Sequence, residues 1–276
     1  MTLTSNAHVH TNWCDGFNTA EEMVLAAIKL RFTDLGFSSH SSAPFDPSSP
    51  GLINPEGYRN EIAELKQKYE GRISILCGLE QDVNSEKEME KYDYIILSAH
   101  YLPVVEGNHD SIDHNPRRLD EIIKERYSNN SIALAREYFS HLTQGVKQYK
   151  PDIVGHFDVI TKFNKESRIF DEQSKEYQDA ALTYLDEIID CINDYGGMIE
   201  INTSGIRYKW TGYPYAGSPF ILSRILAKKA RIIITGDSHE IGMLKYKFPE
   251  ALEMIKAAGF SSMTVLKNGS FVDVNI

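Results

Sequence analysis

The sequence predicts an α/β fold of parallel strands joined by helical crossovers, either a closed barrel or a doubly wound sheet. Three observations point there. Short β-rich runs alternate with helical stretches along the chain. The length, 276 residues, fits one α/β barrel with a sizeable core. Metal-ligand residue types recur at or just beyond the C-terminal ends of the β-rich runs, where βα barrels build their active sites.

The first strand is expected over Leu3–His8. A helix over Ala20–Leu30 follows, opened by Thr19 and Glu22 at capping-box spacing. Strands Thr33–Ser38 and Ile73–Leu79 flank a helix over Glu56–Tyr69, with Gly71 at its stop. The strand Tyr94–Ser98 leads into a long helical stretch, Leu119–Tyr149, which Asn129-Asn130 should break in two. Then come strand Ile153–Gly155, helix Glu172–Tyr195 closed by Gly196-Gly197, and strand Met198–Ile201. Helix Pro219–Lys229, strand Ile232–Thr235, helix Phe248–Ala258 stopped by Gly259, and strand Ser262–Val265 complete the series. No linker, repeat or low-complexity tract interrupts it, so a single domain over 1–276 is expected. The Ser- and Pro-rich His40–Pro55 and the polar Val105–Pro116 read as long functional loops.

Composition narrows the function. A net charge of -10 argues against a broad nucleic-acid footprint, while leaving room for a small phosphorylated substrate in a local basic pocket. No run is apolar enough to span a bilayer, so no membrane partner is expected. Cys14, Cys77 and Cys191 lie far apart with no CxxC, and the N-terminus lacks the pattern of a secretion signal; a reducing cytoplasm is expected. On that reading the glycosylation-type triplets at Asn129 and Asn202 are coincidental.

Nine residues carry the chemistry: His8, His10, Asp15, His40, Glu80, His100, His156, Asp237 and His239. Imidazole and carboxylate are the ligands shared by Zn²⁺, Mn²⁺ and Fe²⁺, and nine such groups exceed what one ion needs. His8 and His10 are two apart, so on a strand both rings face one side. Asp237 and His239 repeat that spacing after Ile232–Gly236. Asp15, in Cys14-Asp15-Gly16, also reads as an ordinary turn, and Cys14 as a packed neighbour. His40 ends an apolar run amid serines, a context that suits a core residue poorly. Glu80 closes the apolar run Ile75–Leu79, and a charge there needs a cationic partner; a bridging metal ligand fits. His100 and His156 stand at equivalent strand ends. His109, His114 and His141 lie in polar contexts and read as surface residues, with His109 or His114 able to reach over the pocket.

The series HxH, Asp-Gly, SxH, GLE, SAH, GHFD and GDSH resembles the PHP superfamily, named for polymerase and histidinol phosphatase, from His8 to His239. The resemblance implies a distorted (β/α)7 barrel with a three-metal cluster at the C-terminal ends of the strands. The ions would be divalent transition metals: zinc, manganese or iron. His8, His10, Glu80 and Asp237 would hold one ion; Glu80 would bridge to a second with His100 and His156; Asp15, His40 and His239 would hold the third. Two segments, Glu200–Arg207 and Gly155–Phe163, resemble the phosphate-binding signatures of the monofunctional L-histidinol-phosphate phosphatase branch. By that likeness Arg207 and Lys162 grip the phosphate, with Ser204 beside them. The branch often has arginine where this chain has Lys162, which keeps the charge and loses the bidentate fork.

The implied reaction is hydrolysis of a small phosphomonoester, L-histidinol phosphate of histidine biosynthesis, by metal-activated water. Asp237 or His239 would return a proton to the leaving alkoxide. Glu106, Asp110 and Asp158 are candidates for an acidic wall facing the substrate's imidazole and ammonium. The rival readings are a phosphoesterase for nucleotides or oligonucleotide ends, a non-catalytic metal-binding module, and a metal-dependent amidohydrolase.

Overall fold

Strands apolar on both faces need helices outside and a filled interior, and the chain meets both needs. The computed structural model describes residues 2–49, 51–87, 89–103 and 109–276. Among these, β1 (Ser5–Asn6), β2 (Asp34–His40), β3 (Ser74–Asp82), β4 (Tyr94–Ser98), β5 (Ile153–Val154), β6 (Met198–Asn202), β7 (Arg231–Thr235) and β8 (Ser262–Lys267) pair in parallel, each with the next. A last strand, β9 (Ser270–Asn275), returns antiparallel along β8. The crossovers are α1 (Ala20–Lys29), α2 (Pro55–Lys68), α3 (Pro116–Tyr127), α4 (Ser131–Tyr149), α5 (Asn164–Ser167), α6 (Lys175–Tyr195), α7 (Gly205–Tyr208), α8 (Pro219–Ala227) and α9 (Phe248–Ala257). This is the distorted (β/α)7 barrel, curled and dominated by parallel strands. The β3–β4 connection carries only a 3₁₀ turn at Met89–Lys91 among its described residues.

The barrel closes through one bridge. Val9 pairs with Ser238, the His10 N–H donates to the Ser238 carbonyl at 2.9 Å, and the Ser238 N–H donates to that of His8 at 3.0 Å. The first strand is shorter than expected for a local reason. The Asn6 side-chain oxygen accepts from the His8 and Gly236 N–H groups at 3.0 and 3.1 Å, taking the place of a backbone acceptor.

Local signals act as anticipated at several points. Thr19 and Glu22 form the reciprocal capping box of α1. Gly196 caps α6 at φ 83°. The long helical stretch breaks where Ser128 and Asn129 turn left-handed, and the Asn130 side chain then caps α4. β2 and β3 run further than predicted, so His40 and Glu80 lie inside strands and pair in register. The unforeseen β9 follows an Asn268-Gly269 turn with φ 53° and 72°, the conformation that Asn-Gly favours in tight hairpins.

Inside the barrel, Tyr94 fills the space beneath the site with Ala7, Leu76, Ile96, Ile153, Met198, Ile233 and Leu266. Its hydroxyl donates to the Ala7 and Phe37 carbonyls at 2.6 and 3.0 Å. A Cβ on Gly78 would lie 2.3 Å from the Tyr94 ring, so this glycine makes room for the tyrosine. Gly78→Ala should therefore destabilise the protein by ~1–3 kcal/mol through overpacking, read as a lower urea midpoint. An unchanged midpoint would show that the barrel interior adjusts freely.

Candidate metal centre

All nine expected ligands meet at one end of the barrel. His40 closes β2, Glu80 lies near the end of β3, and the others stand in the loops after β1, β4, β5 and β7. Glu80 is at the middle. Its Oε2 lies 3.4 Å from both His8 Nε2 and His10 Nε2, and 2.8 Å from His40 Nδ1. Its Oε1 lies 3.4 Å from His100 Nε2 and 2.9 Å from His156 Nε2. Asp237 Oδ1 lies 3.6 Å from His8 Nε2 and 3.3 Å from His10 Nε2. Asp15 reaches His40 Nε2 at 3.5 Å and His239 Nε2 at 3.2 Å.

These spacings fit metal ions. Ligand atoms bound at 2.0–2.1 Å around a tetrahedral ion are separated by about 3.3 Å. The 3.3–3.6 Å contacts among His8, His10, Glu80 and Asp237 match that spacing. Moreover, His8 Nε2, His10 Nε2 and Glu80 Oε2 are buried and make no hydrogen bond. Three orphaned acceptors turned toward one another are costly in a protein interior and suited to a shared cation. Two further groups have ligand atoms within 4.8 Å of one another: His40, Glu80 and His100, and His10, Asp15, His40 and His239.

Neighbours set the orientation of these ligands. Glu200 Oε1 lies 2.5 Å from His8 Nδ1 and accepts from the Thr235 hydroxyl, while its Oε2 accepts from the His156 N–H. Asp82 accepts the His100 N–H at 2.8 Å and lies 3.3 Å from its Nδ1. Cys14 Sγ stands 3.4 Å from His10 Nδ1, consistent with its reading as a neighbour. Holding Nδ1 fixes the ring so that Nε2 presents its lone pair inward. Glu200 and Asp82 were missed from sequence. Both were findable: Glu200 is a carboxylate in a wholly buried strand, and Asp82 stands two residues from Glu80, on the same strand face.

Over the centre lies a cavity of about 350 Å³ lined in part by His239, Asp237, Ser204, Arg207, Lys162 and Tyr215. Arg207 is exposed and has no carboxylate partner among the described residues; its guanidinium lies 5.5 Å from the Tyr208 ring. Lys162 is held by the Asp113 carboxylate and carbonyl, both at 3.1 Å. The Ser204 hydroxyl donates to Asn202 Oδ1 at 2.7 Å and approaches Asp237 at 3.3 Å. An adjoining cavity of about 210 Å³ shares Asp15, His40, His100, Asp113 and Lys162 and adds Asp46 and His114.

Three expectations need correction. Asp158 does not face the pocket, because it is buried and held by Lys209 at 2.5 Å and the Ala216 N–H at 2.6 Å. Asp110 is likewise buried, paired with Arg118 and Arg126 at 2.6 and 2.7 Å. His141 is half-buried rather than a surface residue, with Nε2 3.0 Å from Asn84 Oδ1. His109 packs 4.6 Å from the Phe45 ring, and Glu106 lies outside the described residues. Asn202 is buried in the folded protein and hydrogen-bonded to Glu200.

A family model for the PHP domain matches residues 6–204. The chain is 27% identical to the histidinol-phosphatase of Bacillus subtilis (strain 168) over 270 residues, covering 90% of this chain and 98% of that one. It is 26% identical to a Schizosaccharomyces pombe protein named "Probable histidinol-phosphatase", covering 98% and 90%. A solved structure of similar fold is that of histidinol phosphate phosphatase from Lactococcus lactis, complexed with zinc, L-histidinol and phosphate. It has TM-score 0.70 and 19% identity, covering 98% of this chain and 100% of that one.

Without metal, the site holds protons. Burial and the nearby His40 oppose charge on His10, yet Cys14 and Asp237 lift its pKa to about 9. Burial opposes charge on His100 too, and Glu80 and Asp82 lift it to about 10. A ligand imidazole must be neutral, so at about pH 7.5 ligation displaces these protons. Adding Zn²⁺ to chelator-stripped protein should release more than one proton per chain, measured by calorimetry in buffers of different ionisation enthalpy. Apparent affinity should weaken as pH falls. Uptake of metal with no proton release would contradict this picture.

Proposed function

The chain belongs to the PHP domain family, and on that footing we propose that it is a metal-dependent histidinol-phosphatase, hydrolysing L-histidinol phosphate to L-histidinol and phosphate in histidine biosynthesis. The observation that carries the reading is the cluster of inward-facing orphaned ligand atoms beneath a cavity with cationic Arg207 and Lys162 in its wall. The match to histidinol-phosphatases over nearly the full length of each chain supports the choice of substrate. The continuous nine-stranded sheet supports treating the chain as one barrel domain, and three free, scattered thiols suit a reducing cytoplasm.

In this reading His8, His10, Glu80 and Asp237 would hold one ion, Glu80 with His100 and His156 a second, and Asp15, His40 and His239 a third. Zinc, manganese or iron held there would supply Lewis acidity, lowering the pKa of water toward neutrality and offsetting charge on the phosphoryl oxygens. The protein's own groups do the rest. Glu200 and Asp82 keep the His8 and His100 rings aimed. Arg207 offers parallel N–H donors to the phosphoryl group, and Lys162, steadied by Asp113, adds charge. Ser204 lies beside the same anion, held by Asn202. The leaving alkoxide needs a proton or a metal contact; Asp237, held ionised against burial by His8 and His10, is suited to the metal, which leaves His239 as the group that would carry the proton. Of the acidic groups in the cavity, Glu240 has no cationic partner among the described residues and suits the substrate's ammonium or imidazole.

Purified metal-loaded protein should release phosphate from L-histidinol phosphate far faster than from nucleotides, and chelation should abolish the activity until metal is restored. Preference for nucleotides would favour the rival phosphoesterase reading, and failure with every phosphoester, p-nitrophenyl phosphate included, the non-catalytic one.

Arg207→Ala should retain its metal, by elemental analysis, and lose roughly two to four orders of magnitude in kcat/KM. Arg207→Lys should recover only part, because charge returns without the fork. Normal kcat/KM in Arg207→Ala would make this residue a bystander.

A further inference from the structure

Tyr215 has no role in the chemistry derived so far, yet it is built into the cavity wall. Its side chain is only 1% exposed, it lines the cavity with Ser204, Arg207 and Lys162, and its hydroxyl has no hydrogen-bond partner. A buried hydroxyl left unpaired is costly, and a phenol near neutral pH still carries its proton, ready to donate.

The residue is also held in place. Its backbone N–H donates to the Asn202 carbonyl at 2.9 Å, and its carbonyl accepts from the Asn202 N–H at 3.2 Å. The ring stands edge-on to His156 at 6.1 Å, with the Lys209 ammonium 6.0 Å from its centre. Gly205 brings the Thr203–Arg207 loop against it: a Cβ there would fall 2.4 Å from the Tyr215 nitrogen and 3.1 Å from its ring carbon. The glycine therefore sets Tyr215 beside the loop that carries Ser204 and Arg207. Other unpaired hydroxyls differ in position; that of Tyr177 is equally buried but lines none of the cavities described above.

We propose that Tyr215 is a phosphate-binding residue whose hydroxyl donates a hydrogen bond to the substrate's phosphoryl group, beside Arg207 and Lys162. The inference rests on the phosphatase reading. A donor fixed before substrate arrives needs no reorganisation as charge builds on the phosphoryl oxygens, so it serves the transition state as well as binding.

The test is the affinity of metal-loaded, full-length protein for inorganic phosphate, by calorimetry and by inhibition of p-nitrophenyl phosphate hydrolysis. Tyr215→Phe keeps the ring and removes only the hydroxyl. It should weaken phosphate binding roughly tenfold to a hundredfold, the scale of one hydrogen bond to a charged group, with metal content and melting temperature unchanged. Tyr177→Phe, which deletes an equally buried hydroxyl elsewhere, should bind phosphate normally. Wild-type phosphate affinity in Tyr215→Phe would overturn the proposal, even if turnover of L-histidinol phosphate fell, because the hydroxyl would then serve the organic part of the substrate. If the unmutated protein neither binds phosphate nor cleaves any phosphomonoester, the phosphatase reading falls first and the proposal falls with it.

Discussion

Five imidazole rings from four strand ends meet one buried carboxylate, and the rest of the site is arranged around that contact. Glu80 is 1% exposed, with His8, His10, His40, His100 and His156 all within 3.4 Å. Burial alone would push its proton on; His40, His8 and His100 outweigh burial and hold the carboxyl well below its usual range. A charge so deep in a protein is tolerated only when its partners are fixed. That condition explains the structure beneath it. The barrel brings the strand ends together, and Tyr94 keeps the interior filled so that they stay apart by a set distance.

A second layer of acids repeats the logic, with Glu200 buried as completely as Glu80. Glu200 and Asp82 each hold a histidine by the nitrogen that faces away from the centre. The backbone bends to serve the site as well. Asp237 has φ 47°, a left-handed conformation that non-glycine residues seldom adopt. The Val9–Ser238 bridge on one side and the Asn202 side chain on the other restrain it, and its carboxylate points at His8 and His10. Strain of this kind persists where the surroundings over-determine a residue, which is characteristic of functional sites.

Much of this was legible in the sequence, and the reason is positional. Histidine and carboxylate at the ends of β-rich runs have few uses in a core, so His40 and Glu80 stood out singly, His100 and His156 only as a pair at equivalent strand ends, and the fold joined them. The substrate wall was less legible. Asp158 and Asp110 have the right charge near the right motifs, but each is buried and spent on a structural cation, the buried Lys209 or the partly exposed Arg118–Arg126 pair. Nothing in residue type separates a structural carboxylate from a recognition one; only its partners do. Tyr215 shows the same limit. It reads as an ordinary core aromatic until its place in the cavity wall and its unpaired hydroxyl are seen. The hairpin strand β9 is a different case, since Asn268-Gly269 announced the turn plainly.

The bridge that closes the barrel has a consequence for how the protein comes into being. It joins residue 9 to residue 238, so its two halves are separated by most of the polypeptide. Synthesis proceeds from the N-terminus at about 5–20 residues per second. His8 and His10 therefore leave the ribosome first and wait some tens of seconds for Asp237 and His239 to follow. Until then the seam is open and the group of candidate ligands lacks Asp237 and His239. A chain that ends before residue 237 therefore presents only part of the candidate metal centre, with its seam unpaired.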